Sequence, residues 1–236
     1  MGKIFLIGGG ELRGKTTLPI DAYIRSFINK EKPYALFVPT ASHDSKPYFN
    51  SFRKTYTSEL GCKSEVALIT TGEMTMEKIA EKTRLADIIY VGGGNTEYML
   101  NVWKESGFDR ILMEAYDRGA VIAGLSAGAI FWFEYFLSST LKDADPEKPY
   151  AVRKGMGILP GIITPHLQNA EIEEAFIKEC RNNSYSSYIG IENDCALVYD
   201  DFELTEAVSC GGKAFFYTFG ENVSKKEEIK AFNLNN

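Results

Sequence analysis

The sequence predicts an α/β protein: a doubly wound, mostly parallel sheet with helices on both faces. Three observations predict it. Short apolar runs at residues 4–7, 35–38, 65–68, 88–91 and 121–123 alternate with segments of helical character at 18–29, 47–60, 74–84 and 96–118. Apart from Glu65, the runs are apolar throughout rather than at every second position, as expected for parallel strands covered on both faces. Glycine-rich turns follow three of them, at Gly8-Gly9-Gly10, Gly92-Gly93-Gly94 and Gly124-Leu125-Ser126-Ala127-Gly128. This β-α-β-α rhythm is that of a doubly wound sheet.

Beyond about residue 135 the rhythm changes. Residues 129–136 read as helical, and 137–157, with Asp143, Asp145, Pro146, Glu147 and Pro149, read as a long polar excursion over the surface. A strand is expected at 158–164 and a helix at 169–182. Strands are expected at 196–199 and within 207–219, with Cys210-Gly211-Gly212-Lys213 as a hairpin turn. The polar tail 225–236 reads as partly frayed. No repeat or linker interrupts the chain, so one domain over residues 1–236 is expected.

Composition narrows the function. The 236 residues are 44% hydrophobic and 25% charged, with a net charge of -6. That balance suits a globular core and disfavours nucleic-acid or anionic-membrane binding, which needs a basic footprint. No apolar run is long enough for a transmembrane helix. The first residues lead straight into a strand without a signal-peptide pattern, and Leu6 stands where a myristoylation motif needs Ser or Thr. Cys62, Cys180, Cys195 and Cys210 form no C-x-x-C pair, so free thiols in a reducing cytoplasm are expected. With only His43 and His166 as histidines, a His-based metal cluster is not expected.

The stretch Gly9-Gly10-Glu11-Leu12-Arg13-Gly14-Lys15-Thr16 matches the phosphate-loop pattern G-x-x-x-x-G-K-[ST]. A nucleotide-binding protein is therefore one reading. Pro19 disfavours a helix starting at the Lys-Thr end, and the strands at 88–91 and 121–123 end in glycine rather than in an acid for Mg²⁺. Gly124-Leu125-Ser126-Ala127-Gly128 matches G-x-S-x-G after a strand, the setting of a nucleophile elbow. There the turn exposes the Ser126 hydroxyl while the Ala127 N–H faces a developing oxyanion. The serine needs a base: His166 follows a strand candidate, and so does His43. The base needs an orienting acid, for which Glu192 and Asp194 are the candidates.

Taken in order along about residues 4–200, these segments resemble the S51 serine peptidases, the family of aspartyl dipeptidase (peptidase E) and cyanophycinase. The resemblance implies a flavodoxin-like fold, similar to class I glutamine amidotransferases. It implies Ser126 as nucleophile, His166 as base and Glu192 as orienting carboxylate, with Asp194 the alternative. Gly93, Gly94 and Ala127 are then expected to line the oxyanion hole, and Gly10, Asn95, Thr96 and Gln168 the substrate path. The order Ser, His, acid differs from that of α/β-hydrolases. A short peptide is the implied substrate, without cofactor or metal, in a monomer or homodimer. An arginine soon after the histidine would suit Asp-X peptides, but residues 167–180 hold only Lys178 as a cation; Arg153, Lys154 and Arg181 are the alternatives. A relative without catalysis, using the same pocket to bind a ligand, is the third reading.

Overall fold

The computed structural model describes residues 2–139, 149–220 and 224–235. The first half follows the expected alternation. Strands β1 (Lys3–Ile7), β2 (Tyr34–Val38), β3 (Lys63–Val66), β4 (Ile88–Val91) and β5 (Val121–Leu125) alternate with helices α1 (Leu18–Ser26), α2 (Lys46–Arg53), α3 (Met76–Leu85), α4 (Thr96–Ser106) and α5 (Phe108–Asp117). A π-helical turn, Lys54–Glu59, extends α2. The expected helix over 96–118 is two helices, because Gly107 adopts φ 74° and closes α4 in the left-handed region.

The second half adds a short helix α6 (Ala127–Ile130), strands β6 (Phe133–Ser138), β7 (Ala151–Lys154) and β8 (Leu159–Thr164), and helix α7 (Ala170–Asn182). Strands β9 (Tyr188–Ile191), β10 (Cys195–Asp200), β11 (Glu203–Ser209), β12 (Ala214–Phe219), β13 (Ser224–Ile229) and β14 (Ala231–Asn233) complete it.

Two sheets result. The first has eight strands in the order β14-β11-β10-β1-β5-β4-β2-β3. Its central run, from β1 to β3, is parallel, and β10 joins β1 antiparallel. The second has six strands, β13-β12-β9-β8-β6-β7, of mixed direction. The architecture is thus mixed α/β with two sheets rather than one mostly parallel sheet.

Both faces of the central strands of the first sheet are buried. In β1, Ile4 and Leu6 pack into one cluster with Met99, Trp103 and Leu112 of α4 and α5 and with Phe133 and Phe136 of β6. Phe5 and Ile7 point the other way, into a cluster with Ile20 and Ile24 of α1 and Phe52 of α2. Two covered faces explain why these strands read as continuous apolar runs.

Several expectations fail in the second half. Residues 129–136 contain one helical turn and then β6, because a short apolar run suits a buried strand as well as a helix. The excursion at 137–157 includes part of β6 and all of β7, while residues 140–148 lie outside the described residues. The turn Cys210-Gly211-Gly212-Lys213 passes the chain from one sheet to the other instead of closing a hairpin. The polar tail supplies edge strands rather than a frayed end: β13 pairs with β12, and β14 with β11.

Candidate active site

The loops after β1, β4, β5 and β8 meet at one edge of the first sheet. Ser126 sits between β5 and α6 with φ 53° and ψ -109°, a conformation that non-glycine residues rarely adopt. Such strain costs on the order of 1–3 kcal/mol and persists only where the surroundings hold it. Here the Ser126 N–H donates to the Ile7 carbonyl at 2.9 Å, and the Ser126 carbonyl accepts from Ala129 and Ile130 at 2.8 and 3.1 Å. The glycines of the motif make the turn possible. A Cβ on Gly124 would overlap the Gly128 carbonyl, and one on Gly128 would overlap the Val91 carbonyl.

His166 follows β8 with φ 56°, and its N–H donates to the Gly8 carbonyl at 3.2 Å. Its Nε2 lies 2.8 Å from Ser126 Oγ. Its Nδ1 lies 2.7 Å from Asn193 Oδ1. With the amide oxygen toward the ring, Nδ1 carries the proton and Nε2 is free to accept one from Ser126. His43 takes no part: it is exposed and packs at a tilt of 41° against the Tyr98 ring, with centroids 4.0 Å apart.

The expectation that Glu192 or Asp194 faces His166 is not met. Glu192 turns to the next strand and accepts the Lys213 N–H at 3.0 Å. Asp194, left-handed at φ 59°, accepts the Thr16 hydroxyl at 2.7 Å. The three side chains of the turn leave in different directions, and the middle one reaches the imidazole. A search restricted to carboxylates passes over Asn193. The signal that finds it is chemical: an amide oxygen accepts a ring N–H as a carboxylate does.

The first glycine loop braces this pair. A Cβ on Gly9 would overlap Asn193 Oδ1 and crowd the His166 ring. The Gly9 carbonyl accepts the Asp194 N–H at 3.0 Å. Gln168 accepts the Asn193 N–H at 3.0 Å. The loop does not form a phosphate cradle: the Lys15 and Thr16 N–H groups bond to Leu12 and Glu11 carbonyls, and Lys15 pairs with Glu59 at 2.6 Å.

A cavity of about 260 Å³ opens at Ser126 and His166, walled by Gly94, Thr96, Ile130, Leu137, Ser138, Ser139 and Pro165. Larger concavities of about 500 and 650 Å³ lie along α7, away from these residues. Chemistry rather than volume marks the site. Gly94 and Thr96 meet the cavity as expected. Gly10, Asn95 and Gln168 do not line it: Gly10 packs against Asp194, Asn95 caps α4 by accepting the Tyr98 N–H at 2.9 Å, and Gln168 holds Asn193. Gly93 is also engaged, since its N–H donates to the Tyr48 hydroxyl at 3.2 Å. Ala127 directly follows the serine, as the first residue of α6.

Behind the cavity wall, Glu97 accepts from Arg153 Nε at 2.6 Å and from the Ser138 hydroxyl at 2.9 Å. Among the described residues, no group of three or more His, Cys, Asp or Glu side chains is arranged to hold a metal ion, and no helix is long and apolar enough to cross a membrane.

A strained serine on a strand-to-helix turn, bonded to a histidine that is itself oriented, is the arrangement of hydrolases with a nucleophile elbow. The sequence profile of peptidase family S51 matches residues 4–207, and the chain belongs to that family. The uncharacterized peptidase YgaJ of Bacillus subtilis (strain 168) is 32% identical over 218 residues, covering 91% of each chain. The uncharacterized peptidase Lmo0363 of Listeria monocytogenes serovar 1/2a is 35% identical over 117 residues, 49% of this chain and 55% of its own. Among solved structures, a peptidase from an acI-B1 actinobacterium matches with a TM-score of 0.66 at 20% identity, over 98% of this chain and 95% of its own. A putative peptidase E protein from Listeria monocytogenes EGD-e matches with a TM-score of 0.61 at 21% identity, over 98% and 100%. At these identities the two structures show a shared fold.

Proposed function

We propose that the protein is a serine peptidase that hydrolyses short peptides through an acyl-enzyme, with Ser126 as nucleophile, His166 as general base and then acid, and Asn193 as the group that orients His166. The observation that carries this reading is the hydrogen-bond chain Ser126 Oγ to His166 Nε2 at 2.8 Å and His166 Nδ1 to Asn193 Oδ1 at 2.7 Å. Family membership supports it independently.

The steps follow from that chain. Ser126 Oγ attacks the scissile carbonyl as its proton passes to His166 Nε2. The carbonyl oxygen becomes an oxyanion, which the N–H groups of Ala127 and Gly94 stabilise. The imidazolium gives its proton to the leaving amine, and the C–N bond breaks. Water, deprotonated by the same nitrogen, then hydrolyses the ester and frees Ser126. Asn193 fixes the tautomer and ring angle but brings no negative charge, so it orients the imidazolium without the Coulombic support a carboxylate gives.

The cavity of about 260 Å³ has room for a side chain beside Ser126, and the likeness to S51 peptidases supports short peptides as the substrate class. Asp-X preference has no cation among the described residues of this wall to support it, and Arg153, outside the wall, is engaged by Glu97. The parallel order β3-β2-β4-β5-β1 supports the flavodoxin-like reading of the first sheet, and a core cluster drawing on both sheets supports one domain. A dipeptide and short-peptide panel, run with wild type and Ser126→Ala, tests the function. Cleavage that disappears in the variant is expected; cleavage that survives it in full overturns the reading.

A further inference from the structure

Four consecutive N–H groups follow β4, and three are tied. Gly92 donates to the Val38 carbonyl at 3.0 Å, Gly93 to the Tyr48 hydroxyl at 3.2 Å, and Asn95 to the Ala41 carbonyl at 2.8 Å. Among the described residues the Gly94 N–H has no partner, and Gly94 is the member of the set that lines the cavity beside Ser126. Two of the tethers are backbone carbonyls of the adjoining strand and loop. The third, Tyr48, is a side chain held on three sides. Ser45 caps α2 by accepting the Tyr48 N–H at 3.4 Å, which sets Tyr48 in the first helical turn. The ring meets Phe37 of β2 edge-on, with centroids 4.9 Å apart and planes at 76°. It also lies against Gly92, where a Cβ would come within 2.9 Å of the ring.

We infer that Tyr48 is a positioning residue for the reaction proposed above: its hydroxyl oxygen holds the Gly93 peptide so that the neighbouring Gly94 N–H stays presented to the oxyanion. Gly94 itself has φ 142°, and a Cβ there would overlap the Ala41 carbonyl, so the loop relies on external tethers rather than on side chains of its own. Burial raises the Tyr48 hydroxyl above its ordinary range, so the group that accepts the Gly93 N–H is a neutral phenol. The inference rests on the serine-peptidase reading, because an oxyanion needs an attacked carbonyl.

Tyr48→Phe keeps the ring and removes the acceptor. Three readouts are compared with wild type: the rate of fluorophosphonate labelling at Ser126, kcat and KM on a cleaved peptide, and hydrogen exchange at the Gly93 amide by NMR. We expect labelling and kcat to fall by about tenfold with KM within about twofold, since loss of one held donor weakens the transition state more than the ground state. The Gly93 amide loses about tenfold in protection. A merely structural role predicts a lower melting temperature with unchanged kcat per folded molecule. Wild-type kcat or unchanged Gly93 protection in the variant overturns the assignment of Tyr48 alone. Wild-type protein that is folded yet unlabelled at Ser126 overturns the peptidase reading and this inference with it.

Discussion

The Nδ1 atom of His166 lies 2.7 Å from the Oδ1 atom of Asn193, while the carboxylates on either side of that asparagine bond elsewhere. An amide therefore stands where a serine hydrolase commonly has an acid. It fixes the tautomer without adding charge, and that distinction is measurable.

Removing the orienting oxygen costs more than removing its neighbour's charge. Asn193→Ala is expected to lower kcat/KM by at least about tenfold, because His166 loses the bond that sets its tautomer. Glu192→Gln keeps an oxygen for the Lys213 N–H and is expected to stay within about twofold of wild type. Steady-state kinetics on one cleaved peptide ranks the two. The reverse ranking would return the role to Glu192.

Asn193→Asp adds charge at the same place. A carboxylate beside the ring stabilises the imidazolium that forms as Ser126 gives up its proton. Asn193→Asp is therefore expected to keep or raise kcat/KM on a cleaved peptide, where Asn193→Ala lowers it. An aspartate variant as impaired as the alanine variant contradicts the contact.

Two glycines test the packing of the site in different ways. Gly124→Ala drives a methyl into the Gly128 carbonyl inside the core, and should cost on the order of 1–3 kcal/mol or more in denaturant unfolding. Gly9→Ala drives one into Asn193 Oδ1 at the rim of the sheet. Activity should fall there by a larger factor than stability explains.

Stability should fall as pH rises from about 4 to about 7. Asp21 is fully buried and bonded by Thr17 and Tyr56, and burial raises its carboxyl from 3.8 to about 7. Between those values the folded chain holds a proton that the unfolded chain has released, so folding is favoured at the acid side and loses that support as pH climbs. The full loss is about 4 kcal/mol. Asp21→Asn removes the titration, and its melting temperature should vary less between about pH 5 and about pH 8 than that of wild type. Identical slopes would contradict the assignment.

Much of this was legible in the chain itself. Continuous apolar runs marked the parallel strands, since both faces of the first sheet's central strands are covered. Gly124, Ser126 and Gly128 marked the elbow, because only small neighbours fit it. The scarcity of histidines narrowed the base to His43 or His166, each after a strand, and the family resemblance pointed to His166. The second sheet was harder to read. Residues 133–138 form a strand inside a run whose apolar character suits either helix or strand, and the strands that pair with it, β7 and β8, come only after a long polar segment. Asn193 was hidden for another reason: adjacent residues on a turn send side chains in different directions, and sequence order alone does not say which reaches the ring. The tether from Tyr48 to Gly93 spans 45 residues and leaves no local pattern.

Activation of the Ser126 hydroxyl by His166 is the step on which every other role depends. It can be read by incubating the folded protein with a fluorophosphonate and locating the adduct by mass spectrometry of its peptides. One covalent adduct on Ser126 is expected, with the labelling rate cut by at least about a hundredfold in His166→Ala, as loss of a general base implies. Folded protein that carries no adduct on Ser126, or that labels there equally fast without His166, would contradict it.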